Sequence, residues 1–413
     1  PSWVDGERVS GTASPGGTVR VHATRPSGDR GARALRVAAR ADDGGWSLDL
    51  AGRLDVAAGT RVQAIWATPD GRRAHRAVRL PLLSAQVGGT RLSGFAAPGA
   101  HVALSVTGPD RTPASLEASA DAEGVFGVDL AGGFAAALTE GALVAAAWQR
   151  GEGPLGDGEA AMAVAGVSIT LQASGRQVHG RGPAGADLAL RAFGPGIVAG
   201  LPLLSARVDP TGAVTATLPG DGPLPAGVAV EANHTDAIGH RTVALTRLPR
   251  YTLVMGDSVA AGEVAPFAAV SASLALSGTA IAAHAARADT TASVALDLRP
   301  AAVAPSHAFR AVAGDAATAF EVPILSAAID RPGRRVHGAA AAGSTVSLRL
   351  EALGAPPWLH LVAAGDDATW SLDEASMPDG MSVERLRLLE ARIQVAGGHV
   401  VMARVTPPAA TPG

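Results

Sequence analysis

Residues 9–21 read VSGTASPGGTVRV, and this phrase decides the fold because the chain returns to it four times. It comes back as LSGFAAPGAHVAL from Leu92, VHGRGPAGADLAL from Val178 and VHGAAAAGSTVSL from Val336, with a weaker VAAGEVAPFAAVSASL from Val259. Each copy carries a strand-like hydrophobic stretch with a glycine, then an Ala/Pro/Gly turn, then a second strand. The marker glycines are Gly11, Gly94, Gly180, Gly262 and Gly338, spaced by 83, 86, 82 and 76 residues. A unit near 80 residues is too long for ankyrin, tetratricopeptide or leucine-rich repeats. It suits a seven-stranded β-sandwich.

The spacing predicts five modules, at 1–81, 82–166, 167–247, 248–323 and 324–407, followed by a tail at 408–413. Within them TVRVHAT and RVQAIWA alternate with period two, the pattern of a half-buried strand. DDGG at 42–45 and PDG at 69–71 are turn signals. DDATWSLDEA from Asp366 closely matches DDGGWSLDLA from Asp42, which ties the last module to the first. Phe126 takes the place of Trp46, and Trp148 that of Trp66, so these rings are expected as core plugs. Repeat context favours strand over helix for SVERLRLLEARI, 382–393. The alanine-rich stretch 280–287 is too short to hold as an isolated helix. LPLLSAQV at Leu80 and VPILSAAI at Val322 mark module junctions, whereas LPLLSARV at Leu201 falls inside module three. Short proline-containing junctions restrict bending and favour an elongated rod.

Hydrophobic residues are 47% of the 413 and charged residues 17%, far from a disordered composition. Aromatics are only 3%, so the cores must be built from small side chains. All 34 positive residues are arginine, which rules out a lysine–asparagine isopeptide crosslink. The net charge of -3 with no basic stripe argues against nucleic-acid binding. The apolar runs are too short for a spanning helix, so no membrane insertion is expected. Without cysteine there are no disulfides, thiolate metal sites or cysteine nucleophiles. A chain starting at Pro1 suits a processed mature chain or a trimmed one; a processed, exported protein, extracellular or at the cell surface, is expected by analogy, because tandem β-sandwiches are common outside cells.

The phrases VxGxAxPGxxVxV and GxWxLDL make the chain resemble the tandem bacterial immunoglobulin-like or fibronectin-type-III-like modules of surface proteins. The resemblance covers most of 1–408 and implies an all-β fold of tandem antiparallel sandwiches. Such modules serve as spacers, stalks, adhesive units or accessory domains on enzymes. The expected role is a structural or adhesive protein, a surface stalk or filament subunit, and not an enzyme. Its expected partners are further copies of the chain or other surface proteins. A polysaccharide-binding array, or a noncatalytic region of a larger secreted enzyme, is the alternative.

No catalytic, cofactor-binding or metal residue is assigned, and no cofactor is expected, although several groups invite the question. YTLVMGDSVAAG, 251–262, resembles the first block of the GDSL or SGNH hydrolases, with Ser258 as nucleophile. No asparagine and no Asp-x-x-His pair follows it, and a strand ending in a Gly-Asp turn explains the phrase. His234, Asp236 and His240 carry metal-ligating chemistry, but ordinary loop roles account for them. Asn233-His234-Thr235 is a glycosylation sequon by pattern alone. The pairs Asp42-Asp43 and Asp366-Asp367 supply few oxygens for calcium and suit turns better. Among the tryptophans, Trp358 follows two prolines and is the best candidate for a sugar platform, with a folded-back anchor as the plainer reading. Trp3 has no preceding module to cover it.

Overall fold

Small β-compatible residues alternating with polar ones make short strands with one dry face, and frequent turns fold those strands back on one another. The computed structural model describes residues 3–5, 8–24, 34–50, 58–67, 73–108, 113–130, 138–149, 158–195, 197, 204–289, 291–314 and 316–407. Over these it has thirty-five strands, three short 3-10 turns and no α-helix. The all-β expectation therefore holds. The PDG turn and the tail lie outside the described residues.

The strands fall into five successive sets of seven, called modules one to five here. In module one they are Trp3–Asp5, Arg8–Thr12, Thr18–Thr24, Ala34–Arg40, Gly45–Asp49, Arg61–Ala67 and Arg73–Arg79. Every set has the same wiring. Strands one, two and five make one antiparallel sheet, and strands three, four, six and seven make another in the order four-three-six-seven. The fourth strand thus lies with the third, unlike an immunoglobulin constant domain, where four strands face three the other way round. The inward faces of the two sheets form the core. In module one Val9 and Trp46 meet Val19, Val21 and Val62 there.

Each marker glycine is the fourth residue of a five-residue second strand. Directly opposite it on strand five stand Trp46, Phe126, Val214, Val294 and Trp370 in turn. A Cβ on Gly338 would lie 2.7 Å from the Trp370 ring and 2.0 Å from the Ser326 carbonyl oxygen. The glycine is therefore the notch that admits the plug. Trp46, Phe126, Trp148 and Trp370 are buried as expected. Trp66 is only half-buried and lies over Gly17.

Described residues divide into two compact units, one holding modules one to three and the other modules four and five with Gly194, Pro195 and Leu224–Val228. Within the second unit a single core runs from Tyr251, Leu274 and Phe309 through Val346, Leu389 and Val401. SVERLRLLEARI opens with a 3-10 turn at Val383–Arg385 and continues as the strand Leu386–Gln394. Ser382 makes no side-chain cap bond there. The alanine-rich stretch is the strand Thr279–Arg287. The LPLLSA phrase leads into a first strand at Leu82–Gln86, as the junction reading expects, but at Leu204–Arg207 it is a fourth strand, so it does not mark junctions alone. A proline entering an apolar strand suits either place.

Candidate interaction surfaces and joints

Most of the sequence groups that invited chemistry are held by turns and joints. Asp257 Oδ1 accepts the backbone N–H groups of Ser258 and Val259, at 2.7 and 3.2 Å, in the turn between the first two strands of module four. The GDS phrase is that turn. Asp367 Oδ1 accepts the Thr369 N–H, and Asp121, Asp209 and Asp289 do the same in the matching hairpins of modules two to four. Hydrogen bonds from Thr211 and Thr291 hold the Asp209 and Asp289 carboxyls below their usual range. Module one differs: Asp43 and Gly44 both have positive φ, 53° and 84°, which makes a two-residue hairpin turn. Modules two to five use a three-residue loop whose last residue is left-handed, glycine in two cases and Ala292 or Ala368 in the others.

His234, Asp236 and His240 do not converge on one point. Asp236 Oδ1 accepts three turn N–H groups, from Ile238, Gly239 and His240. His234 is half-buried on strand six, and its Nδ1 lacks a partner. His240 is only 5% exposed and serves a joint rather than a loop. Among the described residues no group of three His, Cys, Asp or Glu side chains is placed to hold a metal ion.

The joint is a parallel strand pair between modules. The last strand of module three, Arg241–Arg247, lies parallel to the first strand of module two, Leu82–Gln86, with Thr242 opposite Ala85. It fuses the two modules into one seven-stranded sheet. The second unit repeats the device: Val400–Val405 of module five lies parallel to Arg250–Val254 of module four, with Leu253 opposite Val401. At each joint a buried histidine stands just before the last strand. The Leu83 N–H donates to His240 Nδ1 at 3.1 Å, and the Tyr251 N–H donates to His399 Nδ1 at 3.2 Å. Leu83 and Tyr251 are both second residues of their first strands. An imidazole can accept at Nδ1 only when that nitrogen carries no proton. Burial lowers the proton affinity of His240, and burial with the Arg250 charge pushes His399 down to about 4. Both groups are therefore neutral acceptors at physiological pH.

Sequence reasoning missed this pair, although its signal is present. A Gly-His dipeptide precedes the last strand in modules three and five, as Gly239-His240 and Gly398-His399. Arg72, Asp157 and Asp315 stand there in modules one, two and four.

Two further surfaces stand out. In the first unit, where modules one, two and three meet, a groove of about 1220 Å³ runs over Ala103, Ser105, Ala145 and Ala161 and ends at Ile238. No Trp, Tyr or Phe is among the described residues that line it. In module five, Trp358 is half-buried and stacks on His360 at 4.7 Å, so it is an anchor and not an open platform. The exposed side chains beside it are Leu359 and Leu361. The Trp3 side chain lies outside the described residues.

No family model matches the chain, and no curated protein matches it. Solved structures do match. One is a tetra-tandem repeat from the extending region of a large adhesion protein, 16% identical over 79% of this chain and 98% of that one, with a TM-score of 0.17. Another concerns host cell surface retention of a 1.5-MDa bacterial ice-binding adhesin, 11% identical over 79% and 96%, TM-score 0.16. A third is the BSP domain of a biofilm associated protein, 9% identical over 80% and 96%, TM-score 0.17. Superpositions at this level carry neither fold nor function across to this chain. No helix among the described residues is long and apolar enough to cross a membrane.

Proposed function

We propose that this is an extracellular structural or adhesive protein, a surface stalk or filament subunit that projects or assembles through its β-sandwich modules. The observation that supports the reading most is the shared sheet. Twice, neighbouring modules are fused by a parallel strand pair and a buried histidine hydrogen bond. A covalent linker alone leaves modules free to reorient, whereas a continuous ladder couples them and resists hinging. Of the polar groups that suggested chemistry, Asp236, Asp257, Asp367 and His240 are engaged in turns and joints, and the reading includes no reaction. Polysaccharide binding is the weaker alternative, because the described tryptophan rings are buried or half-buried rather than offered as flat platforms.

Electron microscopy of native material tests the assembly part. Ordered fibres or lattices with a repeating multi-lobed subunit are expected, and only separate molecules across concentration, pH and calcium would remove the filament version. Cell fractionation tests the surface part, which fails if the chain is found in the cytosol. A glycan array tests the alternative, for which no binding is expected.

A further inference from the structure

The fourth strand of every module is the outer edge of its four-stranded sheet. Such an edge leaves backbone N–H and C=O groups unpaired, and proteins guard it with charge, proline, short length or a bulge. Four modules do so. The outward residues include Arg36 and Arg40 in module one, Pro113 and Glu117 in module two, and Arg207 on a four-residue strand in module three. In module four the strand ends at Arg287 and a register shift interrupts its ladder. Module five breaks the pattern. Its edge, Trp358–Ala363, reads WLHLVA and contains no charge. Leu359 and Leu361 point outward and are 69% and 65% exposed, the two most exposed large hydrophobic side chains among the described residues.

We propose that this edge pairs with the same edge of a second copy of the chain, antiparallel and about a two-fold axis at His360. The sequence of the strand selects both partner and register. Opposed residues in an antiparallel pair share a face, and a one-residue slip would put the leucines of the two copies on opposite faces. Centring on His360 sets Leu359 against the partner's Leu361 and Leu361 against the partner's Leu359. Trp358 then faces Val362 on the other side. Centring on Leu359 or Leu361 makes only one leucine pair. Pro357 falls opposite Ala363 and ends the ladder, since proline has no N–H to donate.

The charges behind the edge do not oppose this pairing. Arg349, opposite Leu359 on the third strand, pairs with Glu351 and lies 3.8 Å from Glu390. Arg404 also binds the buried Glu390 carboxylate, its Nε at 3.0 Å. The contact area sets the strength. A strand of this length is about 20 Å long, so two edges cover far less than the roughly 800 Å² per partner of a standard interface. The pairing is therefore weak for one pair of molecules and gains strength when many copies are held together on a surface. This inference deepens the assembly part of the proposed function and rests on that part alone.

Analytical ultracentrifugation of the full chain, up to about 1 mM, should show a reversible monomer–dimer equilibrium. Leu359→Arg and Leu361→Glu, which restore the guard of the sister modules, should each weaken dimerisation at least tenfold with unchanged circular dichroism. Ile238→Arg, at an exposed residue of module three, should leave it unchanged. Because the chain has no cysteine, His360→Cys provides a register probe: oxidation should crosslink it to its own copy, and Leu353→Cys should not crosslink. A strictly monomeric chain, or a dimer indifferent to both leucine substitutions, overturns the proposal. Surface localisation by cell fractionation is read separately, so loss of this interface and loss of the surface reading are distinguishable.

Discussion

The joint at Leu83 and the joint at Tyr251 carry the same latch in different surroundings. Both use a neutral histidine to accept the N–H of the second residue of a first strand. In the second unit that residue is a buried tyrosine, its ring 5.3 Å from Phe309 and 5.7 Å from His399. Phe320 stacks on His399 at 5.1 Å. In the first unit the residue is Leu83, an aliphatic side chain in a core whose buried rings are Phe126 and Trp148. The hydrogen bond and the parallel register are thus common to both, and the ring packing is particular to one. The comparison teaches that the latch defines where modules join, while local side-chain volume sets how strongly they hold.

The largest separation is expected from truncation. Tyr251→Ala should destabilise the second unit by about 4 kcal/mol and Leu83→Ala the first by about 3, following large-to-small core substitutions. Hydrogen exchange of the two joint strands reads both, and equal losses would remove the role given to the rings. The marker glycines beside the joints reverse the order. A Cβ on Gly94 would sit 2.3 Å from the Leu82 carbonyl oxygen of the joint strand itself, whereas on Gly262 it would meet only the Val294 and Tyr251 side chains, at 2.8 and 3.0 Å. Gly94→Ala should therefore cost about 3 kcal/mol and Gly262→Ala about 1, in urea unfolding.

Acid should weaken both joints. The folded-state pKa of His399 is about 4, below its unfolded value of about 6.5, so the unfolded chain binds the proton more readily in that window. Stability is full above pH 6.5 and falls as pH drops towards 4, by a total of about 3 kcal/mol. His240 is lowered for the same reason of burial, so the first joint loses stability in the same direction. His399→Gln, which keeps an acceptor and takes up no proton, should flatten the acid response of the second unit, as followed by unfolding at several pH values. His240→Ala should cost about 2 kcal/mol by leaving the Leu83 N–H buried and unpaired, and His399→Ala more, because the Phe320 stack goes with it. The smallest effect is expected at the Tyr251 hydroxyl, which is buried without a partner while burial raises its pKa to about 12. Tyr251→Phe should be neutral or stabilise by up to about 1 kcal/mol, and thermal unfolding checks it.

The local parts of this fold were legible because they repeat and because their causes are local. The marker glycines, the plug at Trp46, Phe126 and Trp370, and the Asp-containing hairpins each follow from side-chain volume or turn geometry within a few residues. DDGG and DDAT nevertheless make different turns: Gly44 and Ala368 are both left-handed, but Asp43 has a positive φ and Asp367 does not. His240 was legible as a residue that could ligand a metal, yet its partner is an N–H 157 positions away. Trp358 drew attention as an aromatic after two prolines, while the exposed apolar surface belongs to the leucines that alternate with His360.

By itself the sequence determined an all-β chain built from a recurring unit of small-residue sandwiches, because period-two alternation and glycine spacing act strand by strand. Only the tertiary structure decided which strands join one module to another and which strands stand at a sheet edge. A parallel pair brings together segments well over a hundred residues apart, and nothing in either strand alone names the other. Burial then gives each histidine its role, since a neutral acceptor and a titrating surface group differ only in what surrounds them.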